Sequence, residues 1–197
     1  MQIVIPYTPR QLQGDLHREL DKHRWGVIVC HRRMGKTVMA INHLLRAAVL
    51  CDKPSPRYAY LAPTYRQAKA VAWDYLKQFA GGIPEVKFHE TELRCDLPNG
   101  SRISLLGAEN PDSLRGIYLD GCFMDEVATM PESVFPEIIR PALSDRKGWC
   151  FFVSTPKGQN AFYEMYEHAV VSDGWFTAVH KASETGILDD EELRSAK

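Results

Sequence analysis

Trp25-Gly-Val-Ile-Val-Cys-His-Arg-Arg-Met-Gly-Lys-Thr37 is the stretch that decides how the rest of the chain is read. Val27 to Val29 is a short β-branched run with the length of a buried strand. It breaks at Cys30 into a loop that closes on Gly35-Lys36-Thr37, after which Val38, Ile41, Leu44, Leu45 and Ala48 fall on one helical face. Strand, loop ending in Gly-Lys-Thr, then helix is the context a phosphate-binding loop requires. The backbone N–H groups of Arg32, Arg33, Met34, Gly35, Lys36 and Thr37 would face the phosphates, favoured by the positive end of the helix dipole. Lys36 would reach the β- and γ-phosphates, and the Thr37 hydroxyl would hold Mg²⁺. The usual pattern opens with Gly, and here that position is Cys30. The competing explanation is a chance Gly-Lys-Thr at a helix start.

The 197 residues suit one domain with a real core. Apolar residues make up 45% and charged residues 25%, the balance of an ordinary globular chain. Lys and Arg number 24 against 25 Asp and Glu, so no net field attracts nucleic acid, although local basic contacts within an assembly stay open. The five cysteines, Cys30, Cys51, Cys95, Cys122 and Cys150, have no metal-binding spacing and read as reduced thiols. Cys30, Cys122 and Cys150 fall on expected core strands. No apolar run approaches the roughly 18 residues of a membrane span.

Outward from the loop, the chain alternates strands and helices. Thr8-Pro9-Arg10-Gln11 reads as a capped helix start, with Thr8 capping and Gln11 completing the box, for a helix over about 9–23. That accounts for Gln11 and leaves Gln13 without a structural reason. Tyr58–Ala62 is a second strand, followed by a Thr64 cap and a helix that would bury Ala68, Val71, Ala72, Tyr75, Leu76 and Phe79. Leu93, Cys95 and Leu97, then Ile103 and Leu105, alternate around Asn99-Gly100, which predicts a hairpin near 93–107 at the sheet edge. Strands follow at Leu119–Met124, Trp149–Val153 and Trp175–Val179, with helical segments over 131–143 and 159–170. This order predicts an α/β fold with a mainly parallel sheet flanked by helices. Its ligand belongs at the carboxyl ends of the strands, where the loop, Asp125-Glu126 and Ser154-Thr155-Pro156 all fall.

An apolar strand ending in Asp-Glu is what a phosphate-cleaving loop needs opposite it. Asp125 would hold Mg²⁺ and Glu126 would orient the attacking water. Arg32 or Arg33 could lie against the γ-phosphate, its fork matching phosphate oxygens, or both could face solvent. Arg115 is a second candidate for transition-state charge, against a solvated loop arginine or a structural ion pair. The seven histidines show no ligand spacing. Asp189, Asp190, Glu191 and Glu192 read as a solvated helix start.

Tyr7-x-Pro9-Arg10-x-x-Gln13, the Cys-His-Arg-Arg-Met-Gly-Lys-Thr loop, Ala62-Pro63-Thr64 with Gln67-Ala68, Leu114-Arg115-Gly116, Met124-Asp125-Glu126 and Ser154-Thr155-Pro156-Lys157-Gly158 occur in one order. As an ordered set they resemble the ATPase domain of the large terminase subunit of tailed double-stranded DNA phages. The resemblance implies a RecA-like (ASCE-type P-loop) fold and ATP hydrolysis with Mg²⁺. It implies adenine contact by Gln13, γ-phosphate sensing and coupling by Ser154 and Thr155, and an Arg115 finger acting on a neighbouring subunit. In that family the phosphate loop often lacks its first Gly and carries an Arg, matching Cys30 and Arg32. Implied partners are double-stranded DNA, further copies in a ring on the viral portal, and the small terminase subunit, in host cytoplasm and away from membranes. Residues 1–182 are expected to form the ATPase domain and 183–197 to begin a linker toward a nuclease domain this chain does not contain. Two alternatives remain: a superfamily 1 or 2 helicase-like core, and a nucleotide-gated binding module without turnover.

Overall fold

The computed structural model describes residues 3–187. Among these, eight strands form one sheet: β1 (Trp25–Cys30), β2 (Arg57–Ala62), β3 (Lys87–His89), β4 (Arg94–Asp96), β5 (Arg102–Gly107), β6 (Gly121–Asp125), β7 (Trp149–Ser154) and β8 (Trp175–His180). The α-helices are α1 (Gln11–Leu20), α2 (Lys36–Leu50), α3 (Tyr65–Ala68), α4 (Asp74–Ala80), α5 (Arg140–Ser144), which a π-helical Val134–Ile139 precedes, α6 (Ala161–Val170) and α7 (Ala182–Thr185). Strand order is β3-β4-β5-β2-β6-β7-β1-β8. Pairing is parallel from β5 through β8 and antiparallel only for β3-β4 and β4-β5. The mainly parallel sheet and its edge hairpin therefore stand, with β3 as an outer strand that the sequence pattern does not mark.

Both faces of the sheet are covered, as a parallel sheet requires. Successive side chains point to opposite faces, so Ile28, Tyr58, Tyr60, Phe123, Phe151 and Val153 pack under α1, α2 and α4. Val27, Ala59, Leu61, Cys122, Met124 and Phe152 face the other layer, with Ile138, Leu143 and Phe162. This parity also decides which face receives Asp125, two residues beyond Phe123: the α2 face. α2 is buried nearly all round, Met39, Ile41, Leu44 and Leu45 being fully enclosed. Each such side chain contributes about 1.5–3 kcal/mol of transfer free energy.

Three local expectations are corrected. α1 starts at Gln11 with Arg10 as its N-cap, so neither Thr8 nor Gln11 caps it. Gln13 does: its Oε1 accepts from the Arg10 amide at 3.0 Å. In the helix after β2, Val71 and Tyr75 are 46% and 38% exposed, not buried. Lys69–Trp73 forms a π-helical segment between α3 and α4, which inserts an extra residue and rotates the apolar face, burying Trp73 instead. The Thr64 cap stands, its hydroxyl accepting from the Gln67 amide. The acidic run 189–192 and most of the expected linker over 183–197 lie outside the described residues.

Candidate functional site

At the carboxyl ends of β1, β2 and β6 lies a cavity of about 330 Å³, lined by the 32–38 loop, Tyr60, Gln67, Tyr75, Asp125 and Glu126 among others. The loop needs left-handed backbone at two places, Arg33 (φ 67°) and Gly35 (φ 86°). Cys30 is not one of them. It ends β1 in extended backbone, buried in the core, and burial pushes its thiol up to about 12. The position where the usual pattern has Gly thus takes a small apolar side chain here without backbone cost. Gly35 caps α2, and no acidic residue stands in the first turn of that 15-residue helix. Its unpaired N–H groups and positive dipole end are left for an anion.

Opposite the loop, Asp125 is buried at the end of β6. Its Oδ2 accepts from the Tyr60 hydroxyl at 2.5 Å and the Thr37 hydroxyl at 3.3 Å, and its Oδ1 from the Glu126 amide at 2.9 Å. Burial raises the Asp125 pKa, opposed by the Tyr60 hydrogen bond and Lys36. Glu126 takes left-handed backbone (φ 57°), an uncommon state for a side chain of its size. It lies between two partners: Oε1 on Lys36 Nζ at 2.9 Å and Oε2 accepting from the Thr155 hydroxyl at 3.2 Å. No sequence motif marks Tyr60. Its only signal is parity, since it lies on the β2 face that β6 also turns toward α2.

The remaining candidates divide. Gln13 reaches the loop, its Nε2 donating to Gly35 O at 3.2 Å, and it lines an adjoining cavity of about 310 Å³ with Tyr7, Arg10, Val38 and Phe79. Arg32 and Arg33 are exposed at the mouth of the first cavity. The Met34 side chain is fully buried, which leaves only its backbone for a ligand. The Ser154 hydroxyl is buried, accepting from the Ala128 amide and donating to Thr155 O. Arg115 is not brought to this cavity. It is paired with Asp112 at 2.8 Å and lines a separate surface pocket with Glu137 and Asp145.

The donor set suits a phosphate chain bearing a hard cation. A lysine and free helical N–H groups meet the anion, while the Thr37 hydroxyl and Asp125 carboxylate offer oxygen donors on the side facing it. A buried carboxylate whose pKa is raised gains most from a cation placed beside it.

The family described as terminase large subunit, T4likevirus-type, N-terminal, matches residues 28–194. The chain is 32% identical over 182 residues to the terminase large subunit of Thermus virus P23-45, covering 83% of this chain and 37% of that protein. It is 28% identical over 151 residues to the terminase large subunit of Escherichia phage T5, covering 75% of this chain and 34% of that protein. The chain thus spans little more than a third of the length of these relatives. Among solved structures, the ATPase domain of the Thermus phage P74-26 large terminase superposes with a TM-score of 0.75 at 28% identity, covering 91% of this chain and 83% of that one. The HK97 bacteriophage large terminase shares the fold with a TM-score of 0.75 at 17% identity, over 95% of this chain and 42% of its own.

Proposed function

We propose, because the chain belongs to the terminase large-subunit family, that it hydrolyses ATP with Mg²⁺ to drive viral double-stranded DNA into a procapsid. The observation that carries the reading is the meeting of Lys36 with Glu126 at 2.9 Å and of Thr37 with Asp125 at 3.3 Å. Loop and strand end then frame one cavity in a fold shared with a P74-26 domain described as an ATPase. A large terminase from a thermophilic bacteriophage has been solved with ADP and with ATP-gamma-S, the class of ligand proposed here.

In this reading the loop amides and Lys36 hold the β- and γ-phosphates, and Gln13 meets the adenine. Thr37 and Asp125 hold Mg²⁺, which when bound neutralises charge on the phosphate oxygens. Glu126 orients the attacking water, working by position and electrostatics. Thr155, bonded to Glu126, and Ser154, bonded to the segment after β6, carry the state of the site into β7. Arg32 and Arg33 stand at the mouth beside the γ-phosphate. Arg115, exposed and outside its own cavity, serves a neighbouring copy in a ring on the portal. Double-stranded DNA and the small terminase subunit complete the partners, in host cytoplasm. Among the described residues no helix is long and apolar enough to cross a membrane. Residues 1–182 act as the ATPase unit and 183 onward as the start of a connection to a further domain, where the nuclease activity would reside.

Glu126→Gln tests the reading. ATP binding is retained while Mg²⁺-dependent phosphate release falls by about 10²–10³ or more, followed by phosphate assay and equilibrium binding. Normal turnover in the variant removes Glu126 from the mechanism. Tight ATP binding by the unaltered chain without phosphate release favours a nucleotide-gated module, and duplex unwinding by the chain alone favours a helicase core.

A further inference from the structure

Two imidazoles that the proposed chemistry does not use meet between α1 and α2, His43 buried and His17 half-buried. His17 and His43 bring their Nδ1 atoms within 3.0 Å, with ring planes 7° apart and centroids 5.2 Å apart. Nitrogens this close cannot belong to rings stacked face to face. The rings lie edge to edge in a common plane, the geometry of an N–H···N hydrogen bond. One ring donates and the other accepts, so the two rings cannot both be protonated. Burial favours the neutral form of each, lowering His17 to about 4 and His43 well below the ordinary histidine range, with Arg46 acting in the same direction.

The pair continues toward the phosphate loop. His17 Nε2 is 3.1 Å from the Tyr7 hydroxyl, which donates to Gln13 Oε1 at 3.3 Å. The Arg10 amide donates to the same oxygen at 3.0 Å, and Gln13 Nε2 donates to Gly35 O at 3.2 Å. An amide N–H can only donate, so Arg10 fixes the Gln13 oxygen on its side and the NH₂ toward Gly35. In the arrangement where Tyr7 gives its proton to Gln13, His17 Nε2 donates to the Tyr7 oxygen. His17 Nδ1 then accepts, and His43 Nδ1 donates. Gln13 and His17 stand one turn apart on α1, so both contacts run along one seam with α2.

We propose that the His43–His17–Tyr7 chain is a positioning device that sets the Gln13 amide for the nucleotide base, using as its anchor the helix that holds the phosphates. The proposal rests on the reading above that Gln13 meets the base.

The test compares ATP with inorganic tripolyphosphate, which has the phosphates and no base, on the 197-residue chain. Tyr7→Phe keeps the ring against Phe79 and deletes only the hydroxyl. It and His17→Leu weaken ATP binding about fivefold to tenfold, the worth of one or two hydrogen bonds. Tripolyphosphate binding stays within about twofold, KM for ATP rises, and kcat at saturation holds. His17→Gln, which carries a donor and an acceptor, recovers ATP affinity relative to His17→Leu. In imidazole NMR, one downfield N–H proton shared by the pair vanishes in His43→Leu. Variants that bind ATP as the unaltered chain does, or that lose both ligands equally, overturn the proposal. An unaltered chain that binds ATP no better than tripolyphosphate overturns instead the base contact by Gln13. Should His17→Leu fail to fold, Tyr7→Phe carries the comparison.

Discussion

Burying Asp125 at the end of β6 costs the folded state, because three hydrogen bonds only partly replace the water that a carboxylate loses. Its folded pKa is raised by that burial. A raised folded pKa means stability is fully present below the unfolded value and is lost as pH rises through the folded one. Asp125→Asn cannot titrate, so its thermal midpoint, relative to the unaltered chain, is expected to climb as pH rises above about 4, the ordinary carboxylate value. Parallel curves would show that Asp125 ionises in the fold without cost. At this scale the sequence is informative where chemistry is local. Lys36, Thr37, Asp125 and Glu126 sit in contiguous motifs at strand ends, and the structure brings these four together. Tyr60 is illegible because its role depends on which strand lies beside β6. Gln13 has no structural duty in a helix that starts at Thr8, the start its sequence suggests. A short shift of the cap moves the box from Gln11 to Gln13.

α2 and the helix facing it show what periodicity can and cannot reveal. The face Ile41, Leu44, Leu45 and Ala48 is legible because a regular helix keeps its 3.6-residue repeat. Val71 and Tyr75 fit a core face they do not occupy, since the π-helical Lys69–Trp73 adds a residue that a regular period does not contain. That insertion lines the phosphate-loop cavity with a valine and a tyrosine. At the start of α2, Gly35 holds φ at 86°, and an added Cβ would stand 2.8 Å from Gln13 Nε2. Gly35→Ala is therefore expected to cost about 1–2 kcal/mol in denaturant unfolding, from left-handed strain alone. It is also expected to push Gln13 off the loop and weaken ATP binding. Unchanged stability would mean that the loop relaxes out of its left-handed turn.

Across the whole molecule, the sheet's two ends carry different work. The carboxyl ends hold the cavity, and the amino end is fastened by Asp120, whose side chain is 2% exposed. It accepts from Lys53 at 3.1 Å, from Arg146 Nε and Nη2 at 3.1 Å each, and from the Arg57 amide at 3.0 Å. Burial alone would raise its pKa, but Arg146, the Arg57 amide and Lys53 together bring it below the usual carboxylate value. This contribution is present above the unfolded pKa and is lost as pH falls through the folded one. Asp120→Ala is expected to cost about 2–3 kcal/mol in urea unfolding near neutral pH. The deficit should shrink in acid, and a constant deficit would assign the loss to packing. Fold class, sheet sense and hairpin are readable from alternation. The Asp120 joint is not, because its partners are scattered from Lys53 to Arg146 along the chain. Glu126 joins α2 through Lys36 and the end of β7 through Thr155, one contact on each carboxylate oxygen. Under the proposed chemistry, phosphate must draw Lys36 away before that carboxylate can turn to water. In that scheme the nucleotide would itself unlock the carboxylate that acts on it.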